Sequence, residues 1–173
     1  MPLPDPKKYG LTPEQVNGAP VNSRMSQRWP DDLGGQHREA VTGFRFVPGT
    51  KENGGFTYYQ AKLKLLESDQ PSKVGRTYTV SFFLSADPKY AESDIDKVKQ
   101  FVAACMGSKG DDPSFNFFKA LQTLIDCDDT NGFADEECQV IHQTTTRPKK
   151  GFDSKTGAAK TGNNVYHDFS PVA

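Results

Sequence analysis

At 173 residues, 35% of them hydrophobic and 25% charged, the chain has material for one core with some extended polar sequence around it. Its formal charge of -1, from 21 Lys plus Arg against 22 Asp plus Glu, excludes a uniformly basic coat. No run approaches the roughly 18 apolar residues that a membrane helix needs, and Met1 is followed by Pro2-Leu3-Pro4-Asp5-Pro6 rather than an apolar secretory core. Cys105, Cys127 and Cys138 are an odd number and form no Cys-x-x-Cys, so free thiols in a reducing, cytoplasmic compartment are expected.

Charge is unevenly distributed along the chain. Residues 1–86 carry eleven basic and eight acidic side chains, 87–137 five and twelve, and 138–173 five and two. The segments therefore hold +3, -7 and +3, and a fold that turns the acidic middle away from the basic ends would still present a cationic face.

Residues 1–38 contain six prolines with little apolar periodicity, so an N-terminal arm is expected, packed across a domain or partly disordered. Thr12-Pro13-Glu14-Gln15 has the make-up of a capped helical turn. A domain over 39–173 follows. Ala40 to Val47 is β-branched and aromatic and predicts a first strand. From Phe56 to Glu67, Tyr59, Ala61, Leu63 and Leu65 alternate with Gln60, Lys62 and Lys64, which predicts a half-buried second strand. Gly75 to Leu84 repeats the alternation as a third. The period then changes to 3.6. Ile95, Val98, Phe101, Val102 and Cys105 share one helical face, capped by Ser93 or Asp94 and stopped at Gly107, and Phe117, Phe118, Leu121, Leu124 and Ile125 share another. This helical insertion, about 93–126, leads into an acidic loop, Asp126 to Glu137. Strand character returns at Cys138 to Thr146, a basic Gly-containing loop occupies 147–163, and Asn164 to Phe169 closes the domain.

Three strands, a helical insertion and two strands joined by a long loop is the order of a mainly-β, five-stranded Greek-key barrel of the oligonucleotide-binding (OB) type, with helices between strands 3 and 4. In such barrels the loops between strands 1 and 2 and between strands 4 and 5 flank a binding face on strands 2 and 3. That places Arg45, Lys51, Tyr58, Lys62, Lys64 and Arg76 on the face and first loop, outside a core of Tyr59, Leu63, Val80 and Phe82. It places Arg147, Lys149, Lys150, Phe152, Lys155 and Lys160 on the second loop. Cations replace counterions along a phosphate backbone and rings stack on any base, so this mixture suits single-stranded nucleic acid. The competing reading makes Lys62 and Lys64 a solvated strand face and the loop a linker. Trp29, near Arg24 and Arg28, is either a stacking platform or an anchor to the core. Phe44, Phe46 and Phe83 cannot all face inward, which leaves a surface ring.

Other chemistry finds little support. Aligning Gly132 with the sixth position of a calcium loop puts Cys127 and Cys138 where carboxylates are needed. Cys138 and His142, four apart on a strand, lie roughly 13 Å from each other, too far to share zinc. There is no Walker or Gly-x-Ser-x-Gly motif, and no nucleophile adjoins His37, His142 or His167. The expectation is no catalytic residue, no metal and no cofactor.

The layout resembles a family of small bacteriophage single-stranded DNA-binding proteins built on one OB barrel. The resemblance covers about residues 39–171. It is carried by Gly75-Arg76 before the third strand, by Lys99 to Gly107 at the helix end, and by Lys155-Thr156-Gly157 through Asn164 to Pro171. It implies coating of exposed strands without sequence preference during phage DNA replication or recombination, in the host cytoplasm, beside replication or recombination proteins. Where many such proteins have an acidic tail, this chain has Ser170-Pro171-Val172-Ala173, and the acidic loop 126–137 is the alternative recruiting element. A protein-interaction module of a replication complex and a metal-dependent nuclease are the rival readings.

Overall fold

Alternating side chains along β3 (Thr57–Ser68) set the geometry of the sheet: Tyr59, Ala61, Leu63 and Leu65 are all fully buried, while Lys62 between them is exposed. In the computed structural model, which describes residues 11–18, 25–26, 35–52, 54–85, 87–109, 111–112, 114–130, 138–161 and 163–172, β3 lies between β2 (Gly35–Val47) and β4 (Thr77–Leu84). β5 (Gln139–Pro148) pairs with the first half of β2, β6 (Asn163–Pro171) with β5, and the two-residue β1 (Met25–Ser26) with β6. Every pairing is antiparallel, in the order β1-β6-β5-β2-β3-β4, and the five long strands curl into a half-barrel.

β2 is longer than its predicted span because Gly35 to Glu39 pair with β5, a long-range partner that local periodicity does not reveal. Register shifts at Arg38/Glu39 and Val41/Gly43 interrupt its ladder with β3, as bulges that bend a strand do.

Two described helices stand between β4 and β5 in the chain. The first described helix, α1 (Pro13–Gly18), precedes the sheet, so these are α2 (Pro88–Cys105) and α3 (Phe117–Thr130). α2 starts five residues earlier than Ser93. Its cap is Asp87, whose carboxylate accepts the Lys89 N–H at 2.9 Å, and Pro88 occupies the first turn. Asp94 instead sits inside the helix and accepts the Ser85 N–H at 2.8 Å. At the other end Gly107, with φ +68°, lets its N–H reach Ala104 O at 3.1 Å and that of Ser108 reach Ala103 O at 2.9 Å, the paired bonds of a Schellman stop. α3 continues past Ile125 to Thr130, into the stretch expected to be loop.

The core is a stack of rings. Phe101 of α2 meets Phe44 at 5.8 Å, Phe82 at 5.0 Å and Phe169 at 5.0 Å between centroids. β4 and β6 are the outer two of the five long strands, and Phe82 and Phe169 come to 6.0 Å of each other beside Phe101. α2 thus fills the mouth of the half-barrel. α1 joins the same core: Thr12 and Gln15 form a reciprocal capping box at 2.9 and 3.2 Å, Leu11 and Val16 are buried, and Lys99 Nζ donates to Val16 O at 3.1 Å. Two apolar residues in a Pro-rich stretch do not announce that burial in the sequence.

Candidate nucleic-acid interface

The face of β2, β3 and β4 opposite the core is ordered by register. Successive rows are Val47, Tyr58 and Phe83; Arg45, Gln60 and Ser81; Gly43, Lys62 and Thr79; Ala40, Lys64 and Thr77. Rows two residues apart are separated by about 6.7 Å, so Tyr58 and Lys64 stand about 20 Å apart along β3.

At one end of this face three rings cluster. Phe83 is 50% exposed and lies 5.2 Å from Tyr58 and 5.8 Å from Phe56, itself 59% exposed. Phe44 is buried and Phe46 packs on the core, so Phe83 is the outward ring of the three considered above. Neither Phe56 nor Phe83 stands out in the sequence as a site residue. For Phe83 the available signal is its parity, opposite to Val80 and Phe82 on one strand. Arg45, in the next row, donates from Nε and Nη2 to Gln60 Oε1 at 3.1 and 2.8 Å. Lys62 and Lys64 continue the row of cations. Lys51, exposed in the β2–β3 loop, belongs to the ring end. Arg76 does not share this face: it has the parity of Tyr78, and its guanidinium approaches the Tyr78 hydroxyl at 3.5 Å on the rim.

The remaining predicted cations form a separate group on the β5–β6 connection. Gly35 at the start of β2 pairs with Thr144, and β5 runs on to Pro148, so this loop projects beyond the strand ends opposite the rings. It is an ordered hairpin rather than a linker. Phe152 bridges Ala159, the Lys160 N–H donates to Gly151 O at 3.0 Å, and the Asp153 N–H donates to Ala158 O at 2.8 Å. Gly157, at φ +70°, closes the turn with its N–H on Asp153 O at 2.9 Å. Lys149, Lys150 and Lys160, with Thr156 and Thr161, line a cleft of about 630 Å³. Phe152 lies outside that lining and is 72% exposed. Arg147 sits over the Tyr166 ring, 5.9 Å from its centroid, which adds Tyr166 to the group.

Asp153 lies in the cleft too, the lone acid of the loop. Its Oδ1 accepts the backbone N–H groups of Lys155 at 2.7 Å and Thr156 at 3.0 Å, and these bonds, the Lys155 one foremost, hold its carboxyl below the ordinary aspartate value.

A second polar cluster is closed to solvent. Glu39, His142 and His167 are buried at 0%, 0% and 2% exposure. His142 Nδ1 lies 2.9 and 3.0 Å from the two Glu39 oxygens, and His142 Nε2 lies 2.8 Å from His167 Nδ1. His37 completes the set, with Nδ1 2.8 Å from Ser68 Oγ and its ring edge-on to His142. A ligand has no route to these groups, so they serve the core. Cys138 pairs with Cys105 rather than with a histidine: its Sγ donates to Cys105 O at 3.5 Å, and burial, foremost, raises the Cys105 thiol well above its ordinary value. Among the described residues no three His, Cys, Asp or Glu side chains converge as metal ligands, and no helix is long and apolar enough to cross a membrane. Trp29, Arg24, Arg28 and residues 131–137 of the acidic loop lie outside the described residues. Compared with family models and with curated proteins, the chain matches none.

Proposed function

We propose that this chain is a non-catalytic single-stranded DNA-binding protein that coats exposed strands without sequence preference, as a phage-encoded replication or recombination factor in the host cytoplasm. In this reading the curled sheet is a five-stranded Greek-key OB barrel, with β2 to β6 as its strands and α2 and α3 as the insertion between the third and fourth. The observation that carries the reading is the cluster of exposed Phe56 and Phe83 around half-buried Tyr58, on the sheet face that also bears Arg45, Lys62 and Lys64. Rings in the open give bases a stacking surface, and neighbouring cations hold the phosphates. The hairpin lysines extend the cationic surface past the strand ends.

A polarisation titration with a labelled oligonucleotide, single-stranded against duplex at two salt concentrations, tests it. Binding should favour the single strand and weaken steeply with salt. Replacing Lys149, Lys150 and Lys155 with Ala should flatten the salt slope by up to about two units, at roughly 0.7 per released contact. Salt-insensitive or absent binding would favour the second reading, in which the same ring cluster docks a replication protein.

A further inference from the structure

An acid inside a cationic loop should weaken its hold on a polyanion, and by charge alone removing Asp153 should tighten binding. The geometry points to the reverse. We propose that Asp153 is a positioning residue of a phosphate-binding cleft in the β5–β6 hairpin, holding Lys149, Lys150 and Lys160 around one space. The inference rests on the nucleic-acid reading above and identifies the phosphate backbone, rather than the bases, as what the hairpin grips.

Three observations support it. Besides Asp153 and two alanines, the cleft is lined by three lysines and two threonines and by no ring, so it suits phosphate oxygens; the exposed rings on the sheet stand at the far end of the strands. The hairpin has few constraints besides its turn: residues 149–161 are exposed, and Phe152 and Ala159 form one isolated bridge. Asp153 holds that turn from both sides. Its backbone pairs with Ala158 and Gly157, and its carboxylate ties down the N–H groups of Lys155 and Thr156, an Asx-type closure. Without the carboxylate, the lysines must be ordered by the ligand itself, at a cost in binding.

The closure needs a side-chain oxygen acceptor, which the negative charge strengthens but does not replace, and this separates two variants. Asn keeps an Oδ1 acceptor for the same two N–H groups; Ala keeps none. With a labelled oligothymidylate of about 20 nucleotides, Asp153→Ala should bind about fivefold more weakly than the parent and with a shallower salt slope, whereas Asp153→Asn should stay within about twofold. Far-UV circular dichroism should be unchanged in both. In amide NMR spectra the Lys155 and Thr156 resonances should move in Asp153→Ala. Binding by Asp153→Ala equal to or tighter than the parent, or unmoved Lys155 and Thr156 resonances, would overturn the inference alone. A Lys149/Lys150/Lys160 triple-Ala variant that binds like the parent would remove the hairpin from the site, and the inference with it, while leaving the sheet face as the binding surface. No binding by the parent would overturn both.

Discussion

His142 Nε2 lies 2.8 Å from His167 Nδ1, so the imidazoles of β5 and β6 share a hydrogen bond inside the sheet, with the Glu39 carboxylate on the far nitrogen of His142. One histidine thus ties three strands. Glu39→Ala leaves the His142 Nδ1 in a dry interior without that acceptor and should lower unfolding free energy by about 3 kcal/mol, read from urea melts. Glu39→Gln retains an acceptor oxygen and should lose about half as much. Two variants indistinguishable from the parent would mean that the bond contributes nothing net.

Phe101 is the ring on which the mouth of the half-barrel closes. Phe101→Ala should cost about 4 kcal/mol and broaden resonances of both β4 and β6, since Phe82 and Phe169 lose the same neighbour. A small loss confined to α2 would show that the two strand ends hold together without the helix.

Rings and lysines should separate in their response to salt. Phe83→Ala and Phe56→Ala should each weaken single-strand binding by about 1–3 kcal/mol with the salt slope unchanged, because stacking releases no counterion. Lysine variants of the hairpin should change the slope. A ring variant that flattened the slope would argue that the cluster merely supports the neighbouring cations.

The hairpin should loosen in acid. Asp153 has its carboxyl held below the ordinary value by the Lys155 and Thr156 N–H groups, so folding favours its charged form. The stabilisation it gives is complete above the unfolded carboxyl's titration, near pH 4, and is lost as pH falls through the lower folded value. The Lys155 and Thr156 amide shifts should follow that titration, below the range of an aspartate in an unstructured peptide. Shifts that moved at the ordinary aspartate value would place the carboxyl in solvent.

The strands of the meander were legible because each buries one face, and a period of two in Tyr59, Leu63, Val80 and Phe82 states which. α2 and α3 were legible by their apolar stripes, and the end of α2 by Gly107, but not the start of α2 or the end of α3: Asp87-Pro88 is the stronger start signal, and the acidic run after Ile125 obscured the last turn of α3. What pairs across long sequence separations was hidden. Nothing local says that His142 belongs with Glu39, that Leu11 and Val16 reach the core, or that the β5–β6 loop folds on its own Asp. In the candidate site, strand parity correctly turned Lys62 and Lys64 outward, but Arg76 follows Tyr78 to the rim, and Phe56 and Phe83 became a cluster only when register set Tyr58 between them.

The seam between β2 and β5 has a consequence for synthesis. Gly35 donates its N–H to Thr144 Oγ1 across 109 residues, and the first half of β2 has β5 as a partner over six consecutive pairs. A chain emerging from the ribosome can build the meander of β2, β3 and β4 early, but its β2 must wait with one edge open until the fourth long strand is made. During that interval the growing chain offers a bare strand edge, and truncation anywhere before residue 139 makes the interval permanent.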